Sequence, residues 1–473
     1  MAGRSNPEEI REDMNFRTVR SFLSLVLFVL LMAGAAGVHA KLAFQVKDIN
    51  TTAPRPVGLD NSLYSITLGS AVFFPFDDGS TGKELWKVEG ATGTPSLVKD
   101  ICPGPCPSEP ILFTSGNGLV YFAASDGVHG WEVWRSDGTA DGTVMVRDFT
   151  PGPRGSVNFL LAATDGTVFF DCIDSSHGRE LCATDGTAAG TRLVADINPG
   201  PNGSLPTLLA TAGGRLLLVA DDGVHGREPW ISDGSEAGTR PVGDLNPGSA
   251  PSLDSPYYNP IFDSSVAPTI ALGLPDGSFV FGANDGVHGY EAWHTDGTAV
   301  GTALVTDIRP GSDGSSPSRF TAFAGKAFFA AADGLWSTDG TTAGTALVKA
   351  VSAAALSVVN GRLYFNGNGS LWTSDGTADG TVEVSSAVSP NSIDGSGGSL
   401  LILRGDPWAN PTTSLSLWKS DGTGAGTVLL EPFGQQENNC RFGRLGFVAG
   451  TLYFYACPFG TVRSAATRWR CSW

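Results

Sequence analysis

The residue pattern best suited to chemistry is a short turn that recurs with a histidine in it. Asp126-Gly127-Val128-His129-Gly130 returns as Asp222-Gly223-Val224-His225-Gly226 and as Asp285-Gly286-Val287-His288-Gly289, each followed two residues later by Glu. His177-Gly178-Arg179-Glu180 is a partial copy, and an earlier turn carries Thr81 in the His place. His129, His177, His225 and His288, four of the six histidines, therefore occupy one repeat position. Imidazole titrates near neutrality and can transfer protons or ligate a metal. Asp126, Asp222 and Asp285 add carboxylates that suit an oxygen-rich cation such as calcium, although a full calcium-loop spacing is absent. The structural reading is that His packs the turn and Glu accepts backbone N–H groups. A second set lies in the insertion at 249–262, where Tyr257, Tyr258 and Phe262 could stack on a sugar ring or anchor a partner. No nucleophile elbow and no zinc-helix spacing occurs.

The elements that must carry these turns come from a longer repeat. Trp134-Arg135-Ser136-Asp137-Gly138-Thr139-Ala140-Asp141-Gly142-Thr143 returns almost intact from Trp372 to Thr381. Weaker copies sit at Trp86, Cys182, Trp230, Trp293, Trp336 and Trp418, spaced 36 to 63 residues apart. Each full repeat holds four strand-like runs separated by Gly-rich and Asp-Gly turns. Several runs are apolar on both faces, as in a sheet packed between neighbours. Four antiparallel strands in such a period predict an all-β fold, a single β-propeller of eight to nine four-stranded blades. Phe44-Gln45-Val46-Lys47-Asp48-Ile49 matches the fourth-strand phrase Leu97-Val98-Lys99-Asp100-Ile101. The final repeat runs through Thr451–Tyr455 and Thr467–Arg470 and needs a fourth strand. Residues 43–50 are expected to complete that blade, close the ring and remove its exposed edges.

Composition limits the partners. The chain of 473 residues has a formal net charge of −17 and no block of Lys or Arg, which argues against nucleic acid. Arg17 and Arg20 precede the apolar run Phe22–Ala33, and a small-residue stretch ends at Ala40. Residues 1–40 read as an export signal and 41–473 as the propeller domain, with no membrane span in the mature chain; the competing reading is a membrane anchor. All seven cysteines lie beyond residue 40, so disulfides are expected, with Cys172–Cys182 and Cys102–Cys106 as the candidate pairs.

The combined phrase, best seen in Glu84-Leu85-Trp86, Ser136-Asp137-Gly138-Thr139 and Asp196-Ile197-Asn198-Pro199-Gly200, resembles the ELWxxDGT repeat proteins of bacteria. The resemblance covers residues 43–473 and implies secreted or surface-attached propeller-like proteins. It transfers no catalytic residues. The expected role is an exported binding or adhesion scaffold, a monomer that recognises an extracellular protein or polysaccharide. The alternatives are an extracellular hydrolase or lyase acting in the channel, and a calcium-stabilised structural module.

Overall fold

The structure, a computed structural model, describes residues 26–31, 43–48, 65–90, 93–157, 162–164, 166–253, 269–332, 334–396, 398–405, 414–435, 443–448 and 451–456. Every regular element among them is a β-strand. No helix there is long and apolar enough to cross a membrane. The strands pair in four-stranded antiparallel sheets. Eight sheets each take four consecutive strands, such as Ile111–Gly116, Leu119–Ser125, Trp131–Ser136 and Val144–Arg147 in the second sheet. A ninth sheet combines both ends of the chain, in the order Ala43–Asp48, Val26–Leu31, Thr451–Ala456, Gly443–Val448.

The core consists of layers between sheets. In Leu119–Ser125, Val120, Phe122 and Ala124 pack against Phe73, Leu85 and Val98 of the first sheet. Tyr121 and Ala123 point the other way, onto Val168, Phe170 and Cys172 of the third. Those five residues of the second strand are fully buried. Alternation along a strand sends successive side chains to opposite faces, so an apolar run without polar interruptions means that both faces are covered. The same layering continues from the third sheet to the eighth. The first strands of neighbouring sheets run side by side in chain order. Cys182 fills the Trp position of the third sheet and bonds to Cys172, with Cα atoms 5.7 Å apart.

The Asp-Gly-Thr turns close the third and fourth strands. Asp137 Oδ1 accepts the Thr139 N–H at 2.8 Å and its hydroxyl at 2.7 Å, and Thr139 Oγ1 accepts the Gly142 N–H at 2.9 Å. Thr143 Oγ1 donates to the Thr139 carbonyl at 2.6 Å. The same network recurs in each sheet from the third to the eighth, with Ser235 replacing Thr in the fourth. Gly138 is held at φ 90°, where glycine carries no Cβ penalty, and it lies against the Phe73 ring of the preceding sheet. Each turn thus helps lock its sheet to the one before.

The sixth and seventh sheets join their middle strands by two-residue turns, Ala331 pairing with Gly334 and Gly367 with Ser370. Asn368 and Gly369 both have positive φ, as a type I′ hairpin requires. These sheets therefore have no room for the His turn. In the ninth sheet Ala43–Asp48 takes the outer position. The third position is a departure from the sequence expectation: Val26–Leu31 stands there, while Thr467–Arg470 lies outside the described residues. Val26–Leu31 is paired on both of its edges, with Ala43–Asp48 and with Thr451–Ala456.

A Cβ on Gly142 would fall on the Asp137 carboxylate. Gly142→Ala is therefore expected to cost about 2 kcal/mol. Asp137→Ala removes the obstruction, so the double variant should be no less stable than Asp137→Ala alone. Urea unfolding of the four proteins checks this; simple additivity would contradict it.

Candidate functional site

The His turns are built by their aspartates. Asp126 Oδ1 accepts the N–H groups of Val128 and His129, both at 2.9 Å, and its Oδ2 meets His129 Nδ1 at 2.6 Å. The pairs His225–Asp222 and His288–Asp285 repeat this at 2.7 and 2.6 Å. His177 reaches Asp174 at 2.9 Å. The first sheet has the same loop without imidazole: Asp78 Oδ1 accepts the N–H groups of Ser80 and Thr81 and the Thr81 hydroxyl.

Two crossing loops fix where each turn sits. Gly127 rests on Cys102 Sγ of the preceding crossing, which the Cys102–Cys106 disulfide closes, with Cα atoms 5.3 Å apart. Gly223 rests on Asn198 and Gly286 on Asn246. Those asparagines brace their loops through Nδ2, donating to the Gly203 and Pro251 carbonyls, both at 3.1 Å. On the other side Gly130 abuts the backbone of Gly155 in its own crossing loop, where any Cβ would collide. The turn is gripped at both glycines, and Val128 and His129 between them face solvent.

Below each turn a buried glutamate holds the crossing loop. Glu84 accepts the Ile101 N–H at 2.8 Å, the Ser108 N–H at 3.0 Å and the Ser108 hydroxyl at 2.6 Å. Glu180 takes Ile197, Asn198 and Ser204; Glu228 takes Leu245 and Ser252; Glu291 takes Ile308, Arg309 and Ser315. Glu132 accepts the Ser156 hydroxyl. Burial pushes Glu84, Glu132 and Glu228 up to about 7, against the pull of the Ser hydroxyl and backbone donors. Glu180 and Glu291 are raised for the same reason.

The exposed pairs shift differently. The hydrogen bond to its aspartate raises each of the four imidazoles above the ordinary 6.5. Burial pushes the partner carboxyls up, but hydrogen bonds from the His backbone and ring outweigh it and hold them low. The four His side chains are 38 to 49 % exposed. Among the described residues the ring bonds of these four histidines are all made at Nδ1. Ser176 Oγ lies 3.2 Å from His177 Nδ1 and also donates to Asp174. It shares the aspartate's side of the ring, so these three do not form a nucleophilic triad.

The structure therefore brings each His together with its Asp and sends each Glu inward, away from a common His-Asp-Glu site. Asp126, Asp222 and Asp285 spend their oxygens on their own turns. Among the described residues no three His, Cys, Asp or Glu side chains converge as a metal site. Tyr257, Tyr258 and Phe262 lie outside the described residues. Sequence reasoning missed the serines. Ser108, Ser156, Ser204, Ser252 and Ser315 each follow their Glu by 24 residues, a period that could have been read.

No family model matches the chain, and no curated protein does. Among solved structures it is similar to a puromycin hydrolase, at 14 % identity and a TM-score of 0.39, covering 81 % of this chain and 55 % of that one. It is similar to a structure from a study of two prolyl endopeptidases, at 9 % identity and 0.40, covering 75 % and 54 %. A third is the GH74 enzyme of Niastella koreensis, at 11 % identity and 0.31, covering 80 % and 57 %. The chain spans a little over half the length of each. The first two are named as a hydrolase and as prolyl endopeptidases, and none of the three is named as an adhesion protein; the expectation of an adhesion scaffold is corrected accordingly and set aside.

The two kinds of shift give a definite pH dependence. Between the ordinary Glu value of 4.5 and about 7 the folded chain binds more protons than the unfolded one, so stability falls as pH rises. The raised imidazoles act in the same direction: their contribution is full below 6.5 and is lost as pH rises through their folded values. The depressed aspartates contribute above their ordinary 3.8 and lose that as pH falls below it. Thermal unfolding should therefore peak at about pH 4 to 4.5 and decline toward pH 8. Replacing Glu84, Glu132 and Glu228 by Gln should flatten the decline. A melting temperature that climbs from pH 5 to 8 would contradict this.

Proposed function

We propose that this chain is an exported β-propeller, related to the ELWxxDGT repeat proteins, whose nine sheets are the blades of one ring closed by residues 43–48. We further propose that it works as a hydrolase on an extracellular substrate, with the row of Asp–His turns as its acid–base groups. The observation that carries this is the set of four Asp–His pairs on four consecutive sheets, each with Nδ1 bound to a carboxylate at 2.6 to 2.9 Å. A carboxylate at Nδ1 fixes the tautomer and orients the ring, leaving Nε2 to take a proton from water or deliver one to a leaving group. The same carboxylate stabilises the imidazolium once it forms.

The neighbouring side chains suit a substrate of mixed character. Val128, Val224 and Val287 stand at the turn tips 63 to 66 % exposed, each beside its imidazole. An apolar contact next to a proton donor can hold a peptide, an ester or the ring face of a sugar. The seventh sheet, with its two-residue turn, carries no such tip, so the substrate lies across one side of the ring.

The test uses residues 41–473 on panels of peptides, esters and glycans. Replacing His129, His177, His225 and His288 together by Gln should lower turnover by about 100-fold or more. The melting temperature at pH 8, where the imidazoles are least charged, should stay close to the parent. No turnover on any panel, or equal turnover by the variant, would overturn the hydrolase reading.

A further inference from the structure

The crossing loop from the first sheet to the second is braced by a bond of a different kind from its counterparts. Cys102 is joined to Cys106 within the loop, with Cα atoms 5.3 Å apart. Asn198 and Asn246 stand at the corresponding point of the third and fourth crossings and brace those loops by donating to the Gly203 and Pro251 carbonyls. All three residues support the turn of the next sheet. A Cβ on Gly127 would lie 2.8 Å from Cys102 Sγ and 3.4 Å from Cys106 Sγ. One on Gly223 would lie 2.9 Å from Asn198 Oδ1, and one on Gly286 2.6 Å from Asn246 Oδ1.

The disulfide is not what gives its loop a shape. Glu84 holds Ile101 and Ser108 as Glu180 holds Ile197 and Ser204. Gly104 has positive φ, as do Gly200 and Gly248 at the same place in loops without cysteine. A cross-link between residues four apart also removes less chain entropy than one closing a long loop. Its effect is local, since it keeps both sulfurs together beneath Gly127. Once the bond is broken, the sulfurs must separate to van der Waals contact, and the Gly127 backbone lies over them. His129 is two residues along that turn. Access separates the two disulfides. Cys106 is partly exposed, whereas Cys172 and Cys182 are 5 % and 0 % exposed in the layer between the second and third sheets.

We propose that Cys102–Cys106 is a redox switch for the turn that carries His129. The thiolate of a dithiol attacks Cys106 Sγ and breaks the S–S bond, and Cys102 leaves as a thiolate. The second thiol of the reagent then displaces Cys106 Sγ. The protein gains two electrons, both cysteines end as thiols on the protons that the dithiol gives up, and the dithiol becomes its own disulfide. The crossing loops beside the turns of His177, His225 and His288 contain no cysteine, so the switch acts on one pair of the four. Any consequence for turnover rests on the hydrolase reading, so the test follows the turn itself.

The full chain is titrated with dithiothreitol, alkylated and mapped by mass spectrometry, and the ring signals of ¹⁵N-histidine-labelled protein are followed in parallel. His129→Gln identifies the His129 signal. Cys102 and Cys106 should become alkylated at about 10-fold less dithiol than Cys172 and Cys182. At that point the His129 signal should shift, those of His177, His225 and His288 should not, and reoxidation should restore it. Cys102→Asn with Cys106→Ala copies the sister loops and should abolish the response to dithiol. The first arm uses the parent chain alone and decides the matter even where that variant does not fold. Alkylation of Cys102 and Cys106 before dithiol is added, reduction of Cys172–Cys182 at the same concentration, an unmoved His129 signal, or a shift of all four signals together would each overturn the proposal. So would a response to dithiol that persists in the folded variant.

Discussion

Each sheet from the second to the seventh is covered on both faces by its neighbours, and the rest of the structure follows from that constraint. A middle strand between two sheets has no solvent face, so Val120 to Ala124 can hold only apolar side chains. Polar chemistry is displaced to the strand ends. There the chain repeats a small set of turns whose donors and acceptors are matched within the turn or to an adjacent loop. The cover is also local. A sheet needs the two beside it, which is why layers between sheets replace a single central core.

The price of placing carboxylates near such layers is desolvation, and the structure meets it in two ways. The inward Glu residues collect a serine hydroxyl and backbone N–H groups from the crossing loop, so one buried charge organises a loop that has few other internal bonds. The outward Asp residues stay in the turn and engage a half-exposed imidazole. Glu132 and Asp126 are six residues apart with opposite shifts, one raised by burial and the other held low by hydrogen bonds. The same repeat thus carries a buried clamp and an exposed Asp–His pair, and the clamp positions the loop that grips the pair.

Much of this was legible in the sequence because the repeat is explicit. The Trp spacing gave the four-stranded unit, the Asp-Gly-Thr phrase gave its tight turn, and the cysteines gave both disulfides, one pair on facing strands and one closing a small loop. The missing two-to-three turns of the sixth and seventh sheets were visible as shortened phrases. What escaped were contacts between segments that no local pattern joins. Ser108 meets Glu84 across a crossing loop, and Cys102, Asn198 and Asn246 serve one role through different chemistry, so no identity marks it. Val26–Leu31 escaped for another reason. An apolar run beside basic residues satisfies the requirements of an export signal and of a strand paired on both edges alike.

The claim on which the functional reading turns is that four imidazoles are held at Nδ1 by carboxylates and are free at Nε2. Nitrogen NMR of ¹⁵N-histidine-labelled protein across pH 5 to 9 measures this directly. The account predicts four rings that are Nδ1-protonated when neutral and that titrate above 6.5. Rings that are Nε2-protonated when neutral, or that titrate at or below 6.5, would contradict it.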